Sequence, residues 1–393
     1  MKIVHVTNVV APDKQGGLER YVRELAAEQV KAGNDVSVIA KRRAQDDPST
    51  EVGADGVRIF RYSAPPKRRA TFALEYPFFV TMEIVRALKA AGVWERGRSA
   101  CIHAHYPVPA LALVLFRRPF TYTFHAPVFK EIAGERQGSY ALPRVIERAA
   151  EKVMKVLERT VLSRADVVIT LSDFVRSEAK SMGVRHERFR LIPGGLDVAR
   201  FRRVSEVLST DSQYRLFTAR RLVERTGVEQ LVSAMPAVLA KHPHTKLRIA
   251  GAGPRRQSIV DLIDTLGVQD HVVLLGRISE EHLAEEYRRA TLAVTPTQYL
   301  EGFGLATAEA LASGTPALVT PVGANPELVS ALSPSLIARD ATPSAISAAI
   351  NALLENPAEL DRIRGKASSD FAASWAWSEV QKAVRQAYES DRS

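Results

Sequence analysis

Short unbroken runs of apolar and β-branched residues recur along this chain with helix-period patterns between them, and few folds accept that alternation. The runs are Lys2 to Val10, Asp35 to Lys41, Val57 to Tyr62, Cys101 to Tyr106, Phe120 to Ala126 and Asp166 to Ser172. A strand apolar on both faces is covered on both faces, and helices between successive strands supply the cover. Each run therefore implies a parallel strand in a doubly wound α/β sheet. After "LIPGGLD" (Leu191 to Asp197) and the polar stretch "VSEVLSTDSQ", the alternation restarts with Tyr214 to Arg220, Lys246 to Gly251, His271 to Gly276, Leu292 to Thr297 and Pro316 to Pro321. Two Rossmann-like domains are expected, over residues 1–195 and 196–372, with a last helix over about 373–393 packing back on the first. The length of 393 residues suits two domains of about 200 better than one.

Composition narrows the function classes. At 46% hydrophobic and 25% charged residues the chain is ordinary for a soluble globular protein. Cys101 is the only cysteine, which excludes an intrachain disulfide and points to a reducing compartment. His5, Thr7 and Asn8 interrupt the first apolar run, so a signal peptide is not expected. The uncharged stretch from Tyr106 to Phe116 falls short of the roughly 18 residues of a spanning helix. A cytoplasmic location follows as an expectation.

The net charge of +10 is clustered in Lys41, Arg42 and Arg43, in Lys67, Arg68 and Arg69, and in Arg117 and Arg118. Such clusters read either as a solvated basic surface or as attraction to an anionic ligand or membrane. Nucleic acid is not expected, since zinc-finger spacing, an RNP-type aromatic motif and a basic region running into heptads are all missing. A helix over Val145 to Leu162 places Val145, Ala149, Val153, Val156, Leu157 and Val161 on one apolar face, with Arg148, Lys152, Lys155 and Arg159 interleaved. That face packs on a sheet in one reading and lies on an inner membrane face in the other.

Ligands of open α/β sheets bind beyond the carboxyl ends of the strands, so the residues there matter most. Gly16 and Gly17 precede a helix after the first strand, where bare amides at a helix N-terminus suit a phosphate. Their spacing is neither the dinucleotide fingerprint nor a Walker A loop. Arg220, Arg221 and Arg225 crowd one strand end in "ARRLVERTG", and the guanidinium fork matches phosphate oxygens. Gly251 and Gly253 thin the backbone at the next strand end.

In "TPTQYLEGFGLATAEALASG", residues 295 to 314, a strand ends and the chain turns through Gly302, Phe303 and Gly304 into a helix from Leu305. The amides from Gly302 to Leu305 lack intrahelical acceptors. Glu301 and Glu309 stand apart along the helix axis by on the order of 10 Å. A carboxylate is repelled by pyrophosphate, so each is better used to accept from hydroxyls flanking it, and a nucleotide sugar has hydroxylated groups at both ends of a diphosphate. The alternative is a charged helix start at Glu301 and a solvated Glu309. His125 closes "FTYTFHA" at a strand end, facing either a sugar or a structural partner. Cys101, His103 and His105 share one strand face, so a metal trio is one reading, set against the lack of room for an ion on a buried strand. No D-x-D pair follows a strand, so no metal bridging a diphosphate is expected, nor any other cofactor.

In this order the motifs "GGLERYV", "FTYTFHAP", "ADVVITLSDFVRSEA", "LIPGGLDVARF", "RRLVERTG", "AGAGP", "LLGRIS" and "EGFGLATAEALASGTPALVTPVGANPEL" resemble the retaining glycosyltransferases of family 4 over nearly the whole chain. The resemblance implies the GT-B fold, two facing Rossmann-like doubly wound domains with an interdomain cleft. It implies metal-independent transfer of a sugar from a nucleoside diphosphate sugar to an acceptor hydroxyl with retention.

It also implies roles. Gly17, with Gly16, would face the donor phosphate, His125 the transferred sugar, and Arg221 the diphosphate. Glu301 would touch the donor sugar and Glu309 the ribose, with amides from Gly302, Phe303, Gly304 and Leu305, and Arg277 would lie where the backbone meets the base. The family's usual lysine before the glycine of "RTG" is here Thr226, so Arg225 inherits the second phosphate contact. The acceptor is a small molecule, a glycan or a lipid-linked glycan, the last favouring peripheral contact with anionic membrane. A catalytically silent nucleotide-sugar-binding subunit and a GT-B epimerase are the other readings.

Overall fold

The computed structural model describes all residues except 14–15, 45–46, 66–71, 95–99, 132–143, 185–186, 188, 204–213, 368–370 and 390–393, together with the side chains of 72–74 and 144–147. The Lys67 to Arg69 cluster and the "VSEVLSTDSQ" stretch lie outside the described residues. Each apolar run coincides with a strand, generally shorter than the run, and the strand at Cys101 begins one residue earlier, at Ala100. The strand at Leu292 stops at Thr295, before Pro296, which has no N–H to extend the ladder.

In the first unit the strands are β1 Lys2–Val6, β2 Asp35–Lys41, β3 Thr50–Val52, β4 Arg58–Tyr62, β5 Ala100–Ala104, β6 Thr121–Phe124, β7 Val167–Thr170 and β8 Phe189–Leu191. Their order across the sheet is β3-β4-β2-β1-β5-β6-β7-β8, parallel except for β3 against β4. The edge strands β3 and β8 have no counterpart among the apolar runs: "TEV" and "FRL" are too polar, since an edge strand covered on few sides needs no such run. The core forms where the helices Phe72–Ala90, Pro107–Leu115 and Arg144–Arg164 meet the sheet, through side chains such as Tyr62, Ile84, Leu88, Leu113 and Phe124.

The second unit holds β9 Arg215–Ala219, β10 Lys246–Ala250, β11 Val272–Gly276, β12 Leu292–Thr295 and β13 Ala317–Val319, all parallel, in the order β11-β10-β9-β12-β13. Both sheets therefore wind outward in one direction and then the other from their first strand. The winding reverses between β1 and β5 in one and between β9 and β12 in the other, and such a reversal leaves a crevice beyond the strand ends.

The chain passes from the first unit to the second at Gly195/Leu196 and returns at Ala376/Trp377. A side chain at Gly195 would lie 2.1 Å from the Trp377 ring, which accounts for the second glycine of "PGG". The final helix, Trp377–Glu389, packs on the helix Gly17–Lys31. Val380, Val384 and Tyr388 face inward along it.

The helix Arg144–Arg164 corrects one expectation. Val153 and Val156 point outward, 66% and 65% exposed, while Leu157, Glu158, Val161 and Leu162 face in. Glu158, absent from the expected apolar face, occupies the inward stripe, fully buried, with Oε1 accepting from the Val128 N–H at 3.1 Å. The inward arc runs through Leu157, Glu158, Val161 and Leu162 and leaves the two valines outside it. Burial pushes the Glu158 carboxyl up to about 8 against the pull of the Val128 and Phe129 amides.

Glycines with left-handed backbone supply a test of loop packing. Gly227 (φ 74°) sits where a Cβ would lie 1.7 Å from the Pro296 carbonyl oxygen, whereas Gly267 (φ 65°) has open space. Both alanine substitutions carry the left-handed penalty of about 1 kcal/mol. Gly227→Ala is expected to lower the urea midpoint well beyond Gly267→Ala; equal shifts would show that the Gly227 and Pro296 loops do not bear on each other.

Candidate functional site

At the reversal in the second sheet, β9 and β12 pair only at Leu216 with Leu292 and Phe217 with Ala293. Beyond that point side chains span the gap. Arg220, just past β9, reaches Glu301 Oε2 at 2.8 Å and Thr297 Oγ1 at 3.0 Å through one nitrogen. The side chains of Arg220 and Glu301 are only 8% and 16% exposed. Burial alone would raise the Glu301 carboxyl, but Arg220 and Arg225, with the Gly304 N–H, outweigh it and hold the group below the usual glutamate range. Glu301 is thus anionic although largely enclosed.

A polar chain continues inward. Asn325 donates to Thr297 Oγ1 at 3.1 Å, and its Oδ1 lies 3.0 Å from the Thr307 hydroxyl, itself 3.1 Å from Thr295 Oγ1. Thr297, Asn325, Thr307 and Thr295 are all buried. The rotamers of Arg220 and Glu301 therefore rest on a hydrogen-bonded network. Gly304 (φ 91°) begins the helix Leu305–Ala312, and a side chain there would meet Asn325 Oδ1 at 2.4 Å. Arg225 donates to the Leu300 carbonyl at 3.0 Å, and Gln298 N–H to the Arg225 carbonyl at 2.8 Å, so the two strand-end loops are laced together.

The other expected positions sort as follows. Arg221 is exposed beside this pair, Arg225 half-buried, and Arg277 exposed after β11. Thr226 carries no charge to the loop; its hydroxyl lies 2.7 Å from the Arg221 and Val223 carbonyls. Gly251 and Gly253 are thin for a neighbour's sake, since side chains would collide with the Arg220 and Leu222 carbonyls at 1.8 and 2.2 Å. Gly302 and Leu305 are half-buried, and Phe303 is buried edge-on to Trp375. Glu309 is 3% exposed, which corrects the reading of a solvated face residue. In the sequence Arg220 is one of a basic cluster and nothing more; its pairing with Glu301 needs the reversal between β9 and β12, which no local motif displays.

At the reversal in the first sheet, Gly16 caps the helix Gly17–Lys31 in extended backbone, and a Cβ there would meet the Glu19 carboxylate at 2.2 Å. Gly17 faces open space. His5 on β1 registers with His103 on β5, and the two join His105 and His125 in a cluster of rings. His5 Nδ1 lies 2.9 Å from His105 Nε2, and His105 Nδ1 lies 3.3 Å from His125 Nε2. His5 Nε2 is 2.7 Å from Gln29 Oε1, while His103 meets Tyr388 Oη at 2.7 Å and Thr123 Oγ1 at 2.6 Å.

The trio suggested by strand alternation is regrouped: Cys101 approaches Met1 Sδ, and His5 takes its place within 4.8 Å of His103 and His105. Every ring nitrogen of these three has a hydrogen-bond partner, so an ion would displace existing bonds rather than fill a gap. Desolvation pushes His5 down to about 4 and His125 to about 3, and holds His103 and His105 well below the usual value. The rings are neutral.

Two doubly wound sheets, each with charged or polar side chains gathered at its reversal, are the architecture of the GT-B fold. The chain belongs to glycosyltransferase family 4: residues 15–200 match the model described as Glycosyltransferase Family 4, and residues 202–370 the model of Glycosyl transferases group 1. It is thereby an enzyme of the type that uses nucleotide sugars.

Similar proteins include a glycogen synthase of Mycobacterium tuberculosis, 28% identical over 99% of this chain and 94% of its own length. A D-inositol 3-phosphate glycosyltransferase of Nocardia farcinica is 26% identical over 98% and 87%. Among solved structures, a sucrose-phosphate synthase from Thermosynechococcus elongatus superposes with a TM-score of 0.78 at 23% identity, covering 99% of both chains. Anabaena HepE in complex with UDP-glucose gives 0.75 at 18% identity, covering 99% of this chain and 100% of that one. Among the described residues no helix is long and apolar enough to cross a membrane.

The neutral histidines set the acid side of stability. Each has a folded value far below the roughly 6.5 of an unfolded ring, so the unfolded chain binds more protons as pH drops from about 6.5 toward 4. Stability therefore falls over that window, with His5, His103, His105 and His125 all acting in the same direction. Glu158, raised in the fold, works oppositely over that window and offsets one of them. The urea midpoint of the first unit is expected to be lower at pH 5 than at pH 7; an unchanged or higher midpoint would contradict the burial of neutral rings.

Proposed function

We propose that the chain transfers a sugar from a nucleoside diphosphate sugar to an acceptor hydroxyl, with retention of anomeric configuration and without a divalent metal. The observation that carries this reading is the anionic Glu301 locked by Arg220 at the reversal between β9 and β12, next to the amides at the start of the helix Leu305–Ala312. A fixed carboxylate accepts from hydroxyls and repels phosphates, so it belongs at the sugar end of the donor. Glu309 is assigned to the ribose hydroxyls, and Arg277 to the strand end where the base lies. Gly251 and Gly253 keep the loop beside Arg220 close and act on the donor through it. Arg221 and Arg225 are assigned to the diphosphate. As the leaving group departs it gains charge, and guanidinium groups held in place stabilise that state more than the ground state. The amides of Gly16 and Gly17 suit a donor phosphate, and His125 a hydroxyl of the transferred sugar.

UDP-glucose is the first donor to try, because HepE was solved with it. The purified chain, treated with EDTA, is expected to form product from donor and acceptor, and proton NMR of the new linkage should show the donor's anomeric configuration. Inverted product, or activity that appears only on adding a divalent ion, would overturn the reading. Glu301→Gln and Arg221→Ala are each expected to cost on the order of 100-fold in kcat/KM with an unchanged far-UV spectrum. Wild-type turnover in either variant would strip that residue of its assigned role.

We also assign a lipid-linked acceptor at an anionic membrane. Val153 and Val156 stand exposed among exposed Lys152, Lys155 and Arg159, an apolar pair inside a basic frame that suits shallow insertion. The protein is expected to float with phosphatidylglycerol vesicles and not with phosphatidylcholine ones, and Val153→Asp/Val156→Asp to stay in the bottom fraction. A wild type left in the bottom fraction would point to a soluble acceptor, and a floating variant would remove the two valines from the contact.

A further inference from the structure

Four histidines of the first unit, His5, His103, His105 and His125, form one hydrogen-bonded chain with two outlets. Gln29, 1% exposed on the helix Gly17–Lys31, connects them. Its Nε2 donates to Tyr388 Oη at 3.2 Å, and its Oε1 faces His5 Nε2 at 2.7 Å. An amide oxygen only accepts, so His5 carries its proton on Nε2. A neutral imidazole has one N–H, which leaves His5 Nδ1 bare, and His105 must donate to it from Nε2 at 2.9 Å. His105 Nδ1 is then bare in turn, and His125 donates to it from Nε2 at 3.3 Å. On the second branch Tyr388 Oη, already accepting from Gln29, gives its own proton to His103 Nδ1, and His103 donates from Nε2 to Thr123 Oγ1.

We propose that Gln29, seated by Tyr388 of the C-terminal helix, sets the tautomer of His125 through His5 and His105, leaving His125 Nδ1 as a bare acceptor. His5, His105, Gln29 and Tyr388 are positioning residues; they touch no substrate. The neutrality of the rings is what lets the order propagate, because a doubly protonated ring would donate in both directions and break it. An acceptor nitrogen at His125 requires a hydroxyl hydrogen from its partner. The site therefore discriminates against a deoxy or O-methyl group at that sugar position, since neither supplies a proton to the bare lone pair. This last consequence rests on the assignment of His125 to the transferred sugar; the tautomer order does not.

The test reads tautomers directly. The chain has nine histidines, few enough for two-bond nitrogen–proton correlation spectra of the ring nitrogens, with His125 assigned through His125→Gln. The ligand-free wild type is expected to show His5, His103, His105 and His125 all as the Nε2–H form at pH 7. Any of these rings in the Nδ1–H form or charged would overturn the proposal.

Gln29→Met removes the amide, and His125 is expected to become a mixture of tautomers while kcat drops roughly five-fold with KM little changed, about one hydrogen bond's effect. A pure Nε2–H signal at His125 in that variant would contradict control by Gln29. If it fails to fold, Tyr388→Phe serves: His103 loses its donor and Gln29 the acceptor that orients it, so both His103 and His125 should become mixed, and a pure Nε2–H signal at His125 in that variant would contradict the seating of Gln29 by Tyr388. If the tautomers are as stated but His125→Ala retains full transfer activity, the coupling stands and the assignment of His125 to the sugar falls.

Discussion

A buried carboxylate is the constraint on which the second unit is organised. Glu301 is enclosed yet charged, and an isolated charge in that position would cost several kcal/mol. Arg220 removes most of that cost, but only because its own position is held by Thr297, Thr297 in turn by Asn325, and Asn325 by Thr307. The glycines around it follow from the same need. Gly227, Gly251, Gly253 and Gly304 let four loops close upon one another at distances where a methyl group would collide with a carbonyl or with Asn325. Removing one partner of such a pair leaves a charge with nowhere to go, so the site tolerates little change.

The first unit answers the same topological position differently. Where its sheet reverses, between β1 and β5, the enclosed polar groups are imidazoles, and burial keeps them neutral instead of pairing them with opposite charge. An ion pair fixes geometry by attraction, while a chain of neutral donors and acceptors fixes it by direction, since each N–H determines the next. The C-terminal helix matters because Tyr388 joins the two branches of the chain, at Gln29 and at His103.

Much of this is legible in the amino-acid sequence, and the exceptions have causes. Continuous apolar runs mark the parallel strands because both faces of such strands are covered, and "EGFGLATAE" shows its helix start because a tight corner into a helix is where glycines gather ahead of an apolar period. Edge strands β3 and β8 escape for lack of an apolar run. Arg220 escapes because its partner is 81 positions away and only the reversal of the sheet brings them together. His5 and Gln29 look like ordinary strand and helix residues, since their meaning lies in register across β1 and β5. Glu158 misleads in the opposite sense: a glutamate in a basic helix reads as solvated, yet this one lies in the buried stripe and accepts from backbone amides.

The claim most exposed to measurement is that guanidinium groups and helix-start amides bind the donor around a fixed Glu301. Calorimetric titration of UDP-, GDP-, ADP- and TDP-linked monosaccharides into EDTA-stripped protein should give saturable heat for at least one of them, with affinity lost in Glu301→Gln. No heat from any of the four, or binding indifferent to Glu301, would contradict the account.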